Sequence, residues 1–82
     1  MRFRKVDQYH AVSESGGYTI CRFFAGHEST YMAWRGNELI DRFTFAHEYD
    51  SGGRELDNYA GRAEAYRAAV RVCELDEGSK RE

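Results

Sequence analysis

Apolar and β-branched positions fall in short blocks along the first half of the chain and recur at helical spacing in the second. The densest block lies between Gly17 and Gly36 and reads as two strand-forming runs folded back at Gly26, with glycines at both outer ends. Upstream, Tyr9 to Glu14 alternates weakly and closes at Gly16-Gly17, a dipeptide suited to the positive φ angles of a tight hairpin turn. Downstream, Gly36-Asn37 turns into the run Leu39 to Phe45. The pattern predicts a four-stranded antiparallel β-meander with strands over about 9–14, 18–24, 30–35 and 39–45. Arg2 to Lys5 reads as a frayed basic start, with Phe3 pinned to the core.

From 46 to 55 the pattern breaks into a polar, acidic, glycine-bearing loop. Beyond it, Leu56, Tyr59, Ala63, Tyr66, Val70 and Cys73 form the stripe of an amphipathic helix over about 57–77, with Asp57 as its cap and Gly78 as its end. Gly61 within that span costs about 1 kcal/mol relative to alanine. The tail 79–82 is expected to be disordered. The fold class that follows is α+β in a single domain over 1–82, with one C-terminal helix packed across one face of the sheet.

Turn length decides which side chains share a face, because a slip of one residue moves a whole strand to the other side. Turns with an even number of residues pair Cys21 with Met32, Phe23 with Thr30 and Thr19 with Trp34, and put Val12 beside Cys21 and Leu39 beside Trp34. An odd central turn would set Arg22 among Ile20, Met32 and Trp34, and burying an unpaired charge is expensive. The even register collects Val12, Cys21, Phe23, Met32, Trp34, Leu39, Phe43 and Phe45 on the face expected under the helix, with Asp41 and His10 as its awkward members. The face expected to stay open then holds the rows Tyr18, Arg35 and Glu38; Ile20, Ala33 and Ile40; and Ala11, Arg22, Tyr31 and Arg42.

Composition narrows the functional classes. With 41% hydrophobic and 15% aromatic residues against 32% charged, the chain has enough apolar area to fold. Its net charge of −2 exerts no global pull toward nucleic acid or anionic lipid, so nucleic acid is a weak expectation and rests on a local patch. No apolar run is long enough to span a membrane, and none follows the basic start as in a secretory signal. The expected location is therefore cytoplasmic. Cys21 and Cys73 are too few for a disulfide framework or a paired-cysteine zinc motif, and both are expected to be reduced core thiols. His10, His27 and His47 sit on separate elements, so no metal, cofactor or catalytic constellation is expected. Tyrosine and arginine are the residue types enriched where partners bind. Candidate partner-binding residues are thus Tyr18, Arg22, Tyr31, Arg35 and Arg42 on the open face, joined by Glu48, Asp50 and Glu55 in the acidic loop. The competing expectation for that face is a surface cation–π ladder with no partner.

The segments Gly17-Tyr18-Thr19-Ile20 and Tyr31-Met32-Ala33-Trp34-Arg35-Gly36, followed by Leu39 and Phe43, resemble small phage- and prophage-encoded accessory proteins, among them anti-CRISPR inhibitors. The chain departs from that pattern by inserting the loop 46–55 before the helix. The resemblance implies a stoichiometric binder that blocks a host protein complex such as a Cas effector in the host cytoplasm. It supplies no catalytic residues. A nucleic-acid-binding or regulatory module using the Arg/Tyr face is the alternative, and a homodimer through the same face is a third possibility.

Overall fold

A computed structural model describes residues 1–80. Five strands form one antiparallel meander in chain order: β1 (Phe3–Asp7), β2 (His10–Ser13), β3 (Tyr18–Ala25), β4 (Glu28–Arg35) and β5 (Glu38–Ala46). The pattern of apolar residues had predicted four. The additional strand, β1, carries three charged residues and little alternation, and it is the ladder to β2 that makes it a strand, with Phe3 opposite Ser13 and Lys5 opposite Ala11. Charged side chains suit such a position, because they discourage further pairing along an exposed sheet edge.

The central hairpin has the predicted register: Cys21 faces Met32, Phe23 faces Thr30 and Thr19 faces Trp34. Its turn is the two residues between Ala25 and Glu28, and Gly26 takes the φ of 61° that an L side chain adopts only under strain. Val12 pairs with Thr19 rather than Cys21, which leaves its face unchanged. The last pairing departs more. Trp34 faces Leu39, as predicted, but Ala33 faces Asp41, so the strand gains one residue at Ile40. Beyond this bulge Phe43 lies opposite Tyr31, Phe45 opposite Ser29, and Arg42 opposite Met32. One extra residue thus moves both phenylalanines to the face of Tyr31 and sends Arg42 to the other.

The acidic segment is a short hairpin, β6 (Glu48–Tyr49) paired with β7 (Glu55–Leu56). The helix α1 spans Tyr59–Lys80. It starts two residues later than predicted because Asn58, not Asp57, caps it: the Asn58 Oδ1 accepts the Gly61 N–H at 3.0 Å, and its Nδ2 donates to the Ala46 carbonyl at 2.7 Å. Gly78, Ser79 and Lys80 lie inside the helix, and the rest of the predicted tail falls outside the described residues.

The largest correction concerns which face α1 covers. The core is built from Tyr18, Ile20 and Ala33 of the sheet with Ala69 and Cys73 of the helix, so the face expected to be open is the covered one. Ala65 and Ala69 form the buried line of α1, whereas Leu56 and Tyr59 of the predicted stripe are exposed. Small residues on both sides, Ala33 against Ala69, let helix and sheet approach closely, and Tyr31, Ile40, Phe43, Tyr66 and Val70 fill the margins. At the far end of α1, Asp76 accepts hydrogen bonds from the Tyr18 hydroxyl at 2.7 Å and the Arg35 guanidinium at 2.5 Å, and Arg35 also pairs with Glu38. These ties join the helix to β3 and β4. No helix among the described residues is long and apolar enough to cross a membrane.

Candidate functional site

The residues singled out for partner contact separate into four places. Tyr18, only 5% exposed, and Arg35 are the struts that hold Asp76. Burial first, then the Asp76 carboxylate, pushes the Tyr18 hydroxyl pKa up to about 12. Arg22 and Tyr31 lie on the helix side of the sheet, in a cleft that α1 leaves open. Arg42 stands on the opposite face. In the β6–β7 hairpin, the Asp50 carboxylate accepts the N–H groups of Gly52 and Arg54, both at 2.9 Å, and so shapes the turn, while Glu55 approaches His47 Nδ1 at 3.5 Å. Glu48 is exposed on β6.

The face away from α1 is the first candidate surface. Its rows read Arg4, Val12, Thr19, Trp34 and Leu39; then His10, Cys21, Met32 and Arg42; then Phe23, Thr30 and Thr44. No helix or second sheet covers them among the described residues. Phe23 is 43% and Leu39 41% exposed, and Cys21, Met32 and Trp34 are only partly covered, by their neighbours on the same face. Trp34 donates its indole N–H to Cys21 Sγ at 3.2 Å, which fixes the ring across the strands. Arg4 stands on one edge strand and Arg42 on the other, so an apolar centre has basic edges.

The second candidate is the cleft. Because α1 packs on β4 and β5 and only touches β3, a space opens between it and the β1–β2 hairpin, whose start is tied to the helix by the Met1 ammonium on Glu74 at 2.8 Å. The space between them measures about 500 Å³. Ala11, Ile20, Arg22 and Tyr31 line it from the sheet, Lys5 and Tyr9 from the first hairpin, and Tyr59, Arg62 and Tyr66 from the helix. The Arg22 guanidinium is stacked among rings, its carbon 4.9 Å from the centroid of Phe24, 5.4 Å from Phe45 and 6.0 Å from Tyr31. Its Nε is buried and has no hydrogen-bond partner among the described residues. Asp7, also at the cleft, is held below the usual carboxylate range, first by the Tyr9 N–H at 2.7 Å and then by His10.

One arrangement escaped the sequence altogether. Ser29 Oγ lies 2.6 Å from His47 Nε2, and His47 Nδ1 lies 3.5 Å from Glu55, the order of a serine–histidine–carboxylate relay. Ser29 is 0% exposed, however, and a nucleophile must meet its substrate. The three side chains instead tie the β6–β7 hairpin to β4, together with the His27 Nδ1 contact to the Tyr49 hydroxyl at 3.0 Å. Among the described residues no group of three or more His, Cys, Asp and Glu side chains could hold a metal ion. Burial pushes the Cys73 thiol pKa up to about 11, so it stays protonated at neutral pH. Comparison with protein-family models, curated proteins and solved structures finds no significant match to this chain.

Proposed function

We propose that this protein is a small stoichiometric inhibitor of the anti-CRISPR type, which occupies a surface of a host nucleoprotein complex with the sheet face that α1 leaves uncovered. The observation that supports this is the apolar centre formed by Cys21, Phe23, Met32, Trp34 and Leu39 on that face. A small protein gains stability by covering such groups, and contiguous exposed apolar patches mark interaction surfaces. Strand spacing gives the face an area of about 600 Å². A standard interface takes about 800 Å² from each partner, so this face supplies most of one side.

The charges at its edges favour a different protein over a second copy. Arg4 and Arg42 put the same sign of charge on both edge strands of this face, which opposes packing against a second copy where those edges meet. A partner with an apolar patch flanked by carboxylates matches both features. The test is co-elution with a purified Cas effector complex, combined with an assay of that complex's DNA binding. The protein is expected to co-elute and to block target binding, and W34A and F23S, both on the uncovered face, are expected to abolish both effects while the far-UV circular dichroism stays unchanged. Failure to co-elute, or inhibition unaffected by these substitutions, overturns the proposal. So does a stable homodimer in sedimentation that W34A dissociates.

A further inference from the structure

We infer that the cleft between α1 and the β1–β2 hairpin binds a nucleoside phosphate, its ring held among tyrosines and its phosphate by the cations of the cleft. This is independent of the inhibitor proposal, because the cleft and the uncovered apolar face lie on opposite sides of the sheet.

Three features of the cleft converge. Charge is the first: the chain as a whole carries −2, yet Lys5, Arg22 and Arg62 all reach this one space. Lys5 and Arg22 have no carboxylate partner among the described residues, and Arg62 shares Asp57 at a loose 3.3 Å. Asp7 is the only carboxylate among the lining residues, and it is engaged by the Tyr9 N–H and by His10. Set against Asp7 and the Arg62–Asp57 pair, the cleft keeps a net positive charge, and its guanidinium and ammonium donors match the several acceptor oxygens of a phosphate. Ring surface is the second feature. Tyr9, Tyr31, Tyr59 and Tyr66 border the cleft from three sides, and Tyr59 is 66% exposed with the Arg62 guanidinium over its ring, 5.4 Å from the centroid. Such rings stack on a planar base. Size is the third, since about 500 Å³ lies within the range of small-ligand and cofactor sites.

The Arg22 Nε is buried and has no hydrogen-bond partner among the described residues, so this side chain has an unused donor at the cleft. A guanidinium held among Phe24, Tyr31 and Phe45 is poorly solvated, and an anion entering the cleft gives its charge a counterpart. A nucleoside phosphate has two sources, a free nucleotide and the terminus of a single strand, and both present the same chemistry.

Fluorescence anisotropy with a labelled mononucleotide, competed by unlabelled mononucleotide, by inorganic phosphate and by a short 5′-phosphorylated oligonucleotide, tests the inference. Trp34 lies on the other face, so its emission serves as an internal control for the fold. Saturable binding that weakens with salt is expected. The exposed-site variants K5E and R62E should each weaken it at least about tenfold. Y59A should weaken the mononucleotide but leave competition by inorganic phosphate unchanged. Competition by the oligonucleotide assigns the site to strand ends as well as free nucleotides, and its absence assigns it to free nucleotides alone. No saturation at millimolar concentrations overturns the inference. So does equal competition by inorganic phosphate and mononucleotide with no effect of Y59A, which would mean a plain anion site. Because neither K5E, R62E nor Y59A touches the uncovered face, failure here leaves co-elution with an effector complex intact.

Discussion

Arg22 condenses the tension between stability and function into one side chain. Its guanidinium stacks on Phe24, Phe45 and Tyr31 while its buried Nε has no hydrogen-bond partner among the described residues, so the folded state holds a poorly satisfied cation. Replacing a poorly partnered, half-buried charge by an apolar side chain of similar length relieves that penalty. R22M is therefore expected to keep the fold and to raise its stability, by about 1 kcal/mol in urea denaturation, while removing nucleotide binding. A loss of stability would show that the cation–π contacts outweigh the desolvation. Arg22 was legible from the sequence as a residue worth attention, flanked by aromatics on one strand face. Its surroundings were not, because the rings of Phe45 and Tyr66 come from a strand placed by a bulge and a helix placed by packing.

At the scale of elements, the helix start and the β5 bulge carry the lesson. Asn58 caps α1 and at the same time ties it to the end of β5 through the Ala46 carbonyl. N58A should cost about 1 kcal/mol, the ordinary value for a lost cap, or more because a strand contact goes with it. Gly61 is a companion to that cap, since a Cβ there would come within 2.5 Å of the Asn58 Nδ2. G61A is accordingly expected to forfeit the roughly 1 kcal/mol that alanine would contribute to a helix interior, and thermal melts of the two variants and their double mutant check it. In the N58A background, where the obstructing amide is gone, G61A should become stabilising. The glycine that looked like a weakness of the helix thus accommodates its cap. The bulge at Ile40 left one mark in the pattern, Asp41, which unbroken alternation sets on one face with Leu39 and which the extra residue moves to the face of Ala33.

For the molecule as a whole, the covered core depends on groups that must stay protonated. Burial and carboxylate neighbours raise Tyr18 to about 12 and Cys73 to about 11, and burial raises Tyr66 as well. A group whose pKa is higher folded than unfolded stabilises the fold fully below its unfolded pKa, about 9 for a thiol and 10 for a phenol, and the contribution disappears as pH rises to the folded value. Stability should hold to about pH 9 and decline toward about pH 12, first through Cys73 and then through Tyr18. Urea denaturation across that range checks this: Y18F should flatten the upper part of the decline and C73A the lower. A decline that persists unchanged in both variants would place its origin elsewhere.

The hairpin register and the α+β class were determined by the sequence itself, because both follow from local chemistry: glycines that accept positive φ, even turns, and a switch in apolar spacing from strand to helix. Which sheet face the helix covers was decided only in three dimensions. Both faces of the meander carry rings, arginines and aliphatic groups, so hydrophobicity alone does not choose between them. The helix lies where Ala65 and Ala69 fit over Ile20 and Ala33 and where Tyr18 and Arg35 reach Asp76, contacts between residues dozens of positions apart in the chain. Close packing of small side chains and a shared carboxylate outweighed the larger apolar area of Phe23, Met32 and Trp34, and left those side chains uncovered.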